Sequence, residues 1–186
     1  MKRLFALLMT LCLTAAAILT AAAEDVLILD AFDVRPDPAY VWQTAPLVHN
    51  AVVLTGTPAG DEEAGPVLQV RWRAEPLLTD GMTEAAVPFW ADWHTQFTER
   101  DFGSRGFEDA ACELADAGLI TADGRLMLCV TYALTVGGET CFRSDALAGS
   151  VWGYWIFSAE APDAAQARSR LQTLLDGVTW TQDLYY

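Results

Sequence analysis

The run from Leu126 to Val136 constrains this chain more than any other stretch. Leu126, Leu128, Val130, Tyr132, Leu134 and Val136 share one face at period two, while Met127, Cys129 and Thr131 occupy the other. A strand that is apolar on both faces belongs inside a sheet covered on both sides. Turn signals bound it: Asp123-Gly124 before it and Gly137-Gly138 after it. Glu139 to Arg143 then begins a return strand. A two-residue hairpin loop sets the register so that Val136 faces Glu139, Cys129 faces Ala146 and Cys141 faces Leu134.

The remaining elements follow from periodicity. Val26–Val34 and Leu47–Leu54 read as strands, and 56–66 as a polar turn or loop. Val67–Arg73 alternates, with Val67, Gln69, Arg71 and Arg73 on one side and Leu68, Val70 and Trp72 on the other, as in a half-buried strand. Met82, Ala86, Phe89, Trp90, Trp93 and Phe97 fall on one helix face. An interior proline costs about 3 kcal/mol, so the regular helix is expected to begin, or to kink, near Pro88. Residues 107–124 are ambiguous; Ala110, Ala111, Leu114 and Ala115 suit a short helix over Phe107–Leu119. Ser150–Ser158 reads as an aromatic strand. A second helix follows, with Pro162 in its first turn, Asp163 at its positive end, a stripe of Ala164, Ala167, Leu171, Leu174, Leu175 and Val178, and Gly177 at its close. With neither a repeat nor a long linker, residues 24–186 are expected to form a single α+β domain.

Residues 1–23 are set apart. Met1-Lys2-Arg3, an apolar run from Leu4 to about Leu19 and the small residues Thr20-Ala21-Ala22-Ala23 match a secretory signal peptide cut after Ala23; the alternative is a retained membrane anchor. The rest of the sequence has no apolar stretch long enough to span a bilayer. Cleavage would remove two cations and no acid, taking the formal charge from −14 to −16 and leaving arginine as the only cationic residue type besides histidine. Such a balance argues against nucleic acid, and the loss of Lys2 removes P-loop and Schiff-base chemistry. Cys12 would leave with the signal. Cys112, Cys129 and Cys141 remain, either as one disulfide including Cys112 plus a free thiol, or as three buried thiols.

One resemblance rests on the C-terminal pattern. Gly153-Tyr154-Trp155-Ile156-Phe157-Ser158-Ala159, then Pro162, then Leu171-Gln172-Thr173-Leu174-Leu175-Asp176-Gly177-Val178-Thr179-Trp180 resembles the end of PsbP-like domains. The strand Val67–Trp72 running into the first helix fits as well. The resemblance spans about residues 67–180, and 102–124 has no counterpart in it. It implies an antiparallel β-sheet covered by helices, a PsbP-like α/β/α sandwich. It also implies an exported, non-enzymatic binding or assembly role, as in thylakoid-lumen photosystem subunits and bacterial exported lipoproteins. It carries no catalytic residues.

Motifs for chemistry are sparse. His49 and His94 belong to no zinc pattern. His49 is expected at a strand end, and His94 as a polar edge of the first helix's buried face. Serines preceded directly by glycine, as at Ser104 and Ser150, do not make a Gly-x-Ser-x-Gly elbow. Asp61-Glu62-Glu63 lacks the calcium-loop pattern and reads as a solvated acidic loop. Trp72, Trp90, Trp93, Trp152 and Trp155 are expected in the core, or with one or two lining a groove between helix and sheet. No residue is assigned a catalytic, cofactor or metal role. The expectation is an exported monomer that binds a protein or envelope component. The alternative is an extracytoplasmic hydrolase using paired carboxylates, which a cleft with two facing acids would favour.

Overall fold

A computed structural model describes residues 27–29, 31–46, 52–61 and 65–181. The signal-peptide region and His49 lie outside them. Seven strands form an antiparallel sheet: β3 (Tyr40–Thr44), β4 (Val52–Pro58), β5 (Leu68–Arg73), β6 (Ala111–Ala122), β7 (Arg125–Val136), β8 (Glu139–Gly149) and β9 (Tyr154–Ala161). Their order across the sheet is β3-β4-β5-β9-β8-β7-β6. A smaller sheet has the order β1-β2-β10, from Leu27–Leu29, Phe32–Val34 and Val178–Trp180. Helix α1 (Val87–Ser104) and helix α2 (Ala164–Asp176) cover opposite faces of the large sheet. After β5, α1 leads to the far edge of the sheet, and the meander β6-β7-β8-β9 returns until β9 pairs with β5.

The expected α+β architecture is present, and β7 lies inside the sheet with both faces covered. Leu128, Val130, Tyr132 and Leu134 pack in the core under α1, while Met127 joins the core under α2. The hairpin register is as expected: Val136 pairs with Glu139, Cys141 with Leu134 and Cys129 with Ala146. Gly137 and Gly138 have φ of 62° and 79°, the left-handed pair that a two-residue turn of this kind requires.

Several elements differ from the sequence reading. Residues 111–122 form a strand, not a helix. The alanines allow a helix, but the Asp123-Gly124 turn folds the segment against β7 from Ala122↔Arg125 to Ala111↔Thr135, where tertiary pairing overrides local propensity. Val26–Val34 was expected as one strand; its described residues form two short strands in an antiparallel pair, Leu27↔Val34 to Leu29↔Phe32. Strand β3 was not expected. Of the expected strand Leu47–Leu54, only the end is described, and there β4 begins at Val52. The aromatic strand begins at Tyr154 rather than Ser150, because Ser150–Gly153 closes a tight turn, with Ser150 N donating to Gly153 O at 2.8 Å. Trp152 therefore sits on the turn, 67% exposed.

Both helices start as local chemistry dictates. Pro88 lies in the first turn of α1, where a missing N–H leaves no bond unmade. Asp163 caps α2, its Oδ1 accepting from Gln166 N at 2.8 Å, so Pro162 stands just outside the helix. Gly177 follows α2 and cannot carry a side chain, since an added Cβ would lie 2.7 Å from Arg35 O.

Candidate functional site: a charged recess under α1

The face of α1 that meets the sheet is not the aromatic stripe. Val87, Ala91, His94, Thr95 and Thr98 are its buried residues. Small side chains let the helix axis approach the sheet, and the rings move to its flank. Trp90, Trp93 and Phe97 are half-buried, and Phe89 is exposed. Trp93 stacks on Phe97 at 5.5 Å between centroids, and the Arg73 guanidinium lies 4.9 Å from the centre of the Phe97 ring.

The arginine face of β5 was expected to be its solvated side. Instead Arg71 and Arg73 are buried beneath α1. Alternation along β8 points Arg143, Asp145 and Leu147 to the same side. The register sets Arg143 between Tyr132 of β7 and Glu160 of β9, and Asp145 between Val130 and Ser158. His94 descends from α1 into this row and is only 1% exposed, not at an edge.

Two carboxylates organise the charges. Asp145 accepts from Tyr132 OH at 2.7 Å and from Arg143 Nε at 2.9 Å, and its Oδ2 lies 2.7 Å from His94 Nε2. Burial alone would raise the Asp145 carboxyl, but the Arg143 charge and the His94 hydrogen bond outweigh it and hold the group well below the usual carboxylate range. An ionised carboxylate only accepts, so His94 Nε2 carries the hydrogen. Burial would weaken the charge on Arg143, yet Asp145 more than compensates, with Arg143 also donating to Glu160 and Ser158. Burial and the adjoining Asp145 charge push the Tyr132 hydroxyl well up.

Asp101, in the last turn of α1, is the second centre. Arg71, Arg73 and Arg105 reach it at 3.3, 3.0 and 2.7 Å. Burial opposes its ionisation, but the Arg73 hydrogen bond and the three positive charges prevail and lower its pKa. A carboxylate is misplaced at a helix C-terminus, whose dipole is negative. The three guanidiniums offset that, and those of Arg71 and Arg73 tie α1 to β5.

A narrow recess of about 10 Å³, room for one water, lies between Arg71, Arg73, Arg143, His94, Asp101 and Asp145. Arg73, Phe97 and Asp101 also line an open groove of about 550 Å³, together with Trp93, Arg100 and Glu75. Trp93 is thus a tryptophan lining a groove between helix and sheet.

The other candidates lie apart. Cys112, Cys129 and Cys141 are free thiols. Cys112 and Cys141 flank Leu134 in the sheet register and are not bonded to each other. Burial, helped by Glu99 and Asp145, pushes the Cys112 thiol up to about 12; burial and Asp145 push Cys129 up to about 11. Thiols held protonated in this way are poor nucleophiles. Asp61 is exposed, and Glu62 and Glu63 lie outside the described residues. Among the described residues, no three His, Cys, Asp or Glu side chains come together as a metal site.

Sequence reasoning missed Arg71, Arg73, Arg143 and Asp145. The available signal was the alternation Arg143-x-Asp145-x-Leu147 continuing a strand that was expected only to begin at 139–143.

No family model matches the sequence, and no curated protein does. A solved structure does. The solution structure of cyanobacterial PsbP (CyanoP) from Synechocystis sp. PCC 6803 superposes with a TM-score of 0.57, covering 81% of this chain and 87% of that one at 15% identity. The fold is PsbP-like. At that identity the likeness concerns architecture alone, and it does not transfer a role for the charged recess.

Proposed function

We propose that this chain is a non-catalytic binding module acting outside the cytoplasm, with the α1 groove as its ligand surface. The observation that carries the reading is the groove itself, where an exposed arginine and half-buried aromatic rings open onto a buried charge network. The network holds the walls rigid, since each charged centre fixes a helix to a strand or one strand to the next. The PsbP-like fold fits such a module, and residues 1–23 supply the reason for export. No described helix is long and apolar enough to cross a membrane.

The carboxylate-hydrolase alternative would have to use Asp101 and Glu75, the two acids that line the groove. Such chemistry needs one acid held protonated. The three arginines lower the Asp101 pKa, which does not suit it to the role of the acid.

The test uses protein isolated from cells expressing all 186 residues. Its N-terminus is expected at Glu24 by mass spectrometry. Ser104 also lines the groove, and the immobilised protein, exposed to envelope extract, should retain a component that a groove-filling Ser104→Trp variant does not. Equal retention by both proteins overturns the groove as the ligand surface, and retention by neither overturns the envelope component as its ligand.

A further inference from the structure

Positive charge at the C-terminal end of α1 exceeds what the protein itself neutralises. Outside residues 1–23 the chain has nine arginines, and five of them, Arg71, Arg73, Arg100, Arg105 and Arg143, meet there. Arg143 is matched by Asp145 and Glu160. Asp101 alone serves Arg71, Arg73 and Arg105 as an ion-pair partner, and Glu75, the other carboxylate of the groove, leaves its buried Oε2 without a hydrogen-bond partner among the described residues. Arg71 shows the imbalance: burial and then the charges of Arg143, Arg105 and Arg73 lower its pKa to about 10, despite Asp101.

Two donors there are unused. Arg71 Nε and Arg73 Nε are buried and have no hydrogen-bond partner among the described residues, in side chains that line the same recess. Arg71 is 9% exposed and Arg73 5%. A buried charged donor without an acceptor is costly, and an acceptor atom in the recess they line would lower that cost. The recess admits one oxygen, not a whole ion. The rest of such a ligand would lie in the groove outside, where Arg73 lines both spaces and Arg100 stands exposed.

The overall charge narrows the choice. At −14, the protein repels polyanions at a distance, so a compact, singly charged group is favoured. Asp101 already shows which group this arginine cage accepts.

We propose that the α1 groove binds a carboxylate, with one oxygen in the recess at Arg71 and Arg73 and the body of the ligand beside Arg100. The inference deepens the binding-module reading and rests on it for the groove being a ligand surface. The carboxylate can belong to a small acid or to the chain terminus of a bound protein.

The experiment follows the arginine Nε–H resonances of the isolated protein by NMR, titrating sodium acetate at constant ionic strength made up with sodium chloride. The expected result is a saturable shift of the Arg71 and Arg73 signals in the millimolar range, absent with chloride alone. Arg100→Gln should weaken acetate binding by about three- to tenfold and leave the unliganded spectrum in place. A linear drift, an equal response to chloride, or unchanged affinity in Arg100→Gln overturns the proposal. Competition separates the sources and the two readings. A retained component released by acetate presents its own carboxylate, and amidating its chain terminus should abolish retention if the terminus supplies it. A component lost with Ser104→Trp but not released by acetate overturns the carboxylate and leaves the binding module standing. Acetate saturation with nothing retained from the extract places the carboxylate on a small acid and removes the envelope partner.

Discussion

Asp145→Ala is expected to destabilise the fold by about 3–5 kcal/mol, the usual consequence of removing one partner from a buried ion pair. The carboxylate is 1% exposed and interacts with three side chains at once. Its loss leaves the buried Arg143 without its closest counter-charge and orphans the Tyr132 hydroxyl and His94 Nε2. Domains of this size are stable by only about 5–15 kcal/mol, so the loss is a large part of the whole. Urea unfolding followed by tryptophan fluorescence measures it. The double variant Arg143→Met/Asp145→Leu should recover part of the stability, because it removes both charges and fills the space with apolar atoms. A change under about 1 kcal/mol in Asp145→Ala would sink the argument.

The same residue sets a pH dependence. Its folded pKa lies below that of an unfolded aspartate, about 3.9. Its contribution is therefore complete above that value and is lost as pH falls below it toward the folded pKa. Unfolding free energy of the native protein should drop steeply below about pH 4, and Asp145→Ala should flatten that limb.

Gly149→Ala is expected to cost more than about 3 kcal/mol, at the upper end for overpacking. An added Cβ would fall 2.0 Å from Leu77 O and 2.9 Å from Tyr154 Cβ. The first is backbone and cannot rotate aside. Leu77 N also donates to Ser150 O at 3.1 Å, and Gly149 N to Thr79 Oγ1 at 3.1 Å, so the segment leading to α1 is clasped against the end of β8. The obstruction must shift that segment, and with it the buried Leu77. Gly118→Ala is the control: its Cβ would meet nothing within 4 Å, and a change within about 0.5 kcal/mol is expected. Thermal unfolding of the two variants side by side makes the comparison.

The sheet was legible where two-residue turns and period-two patterning agreed, as around β7. It was not legible at β6. Ala111, Ala115 and Ala117 satisfy either period, and only pairing with β7 decides. The charged recess was harder still. Arg71 and Arg73 on an alternating strand read as a solvated face, because arginines are usually exposed. Their burial depends on the C-terminal half of α1 lying against them and on Asp101 meeting them there, a long-range contact with no local trace. His94 was legible as a buried-face neighbour, but its partner Asp145 lies on a strand whose length the sequence understated.

The strand order carries a kinetic consequence. The hairpins β6-β7, β7-β8 and β8-β9 join neighbours in sequence, whereas β5 meets β9 through pairs such as Leu68↔Ala159. Closing that loop costs entropy before any contact repays it, so the meander should assemble first and β5 should dock onto it late. The arginines of β5 then reach Asp101 only in the final stage of folding. Pulse-labelled hydrogen exchange during refolding should protect the amides of β7 and β8 before those of β5, and simultaneous protection would contradict this order. A slowly assembled recess also keeps the guanidiniums of Arg71 and Arg73 in water until the surrounding sheet is complete.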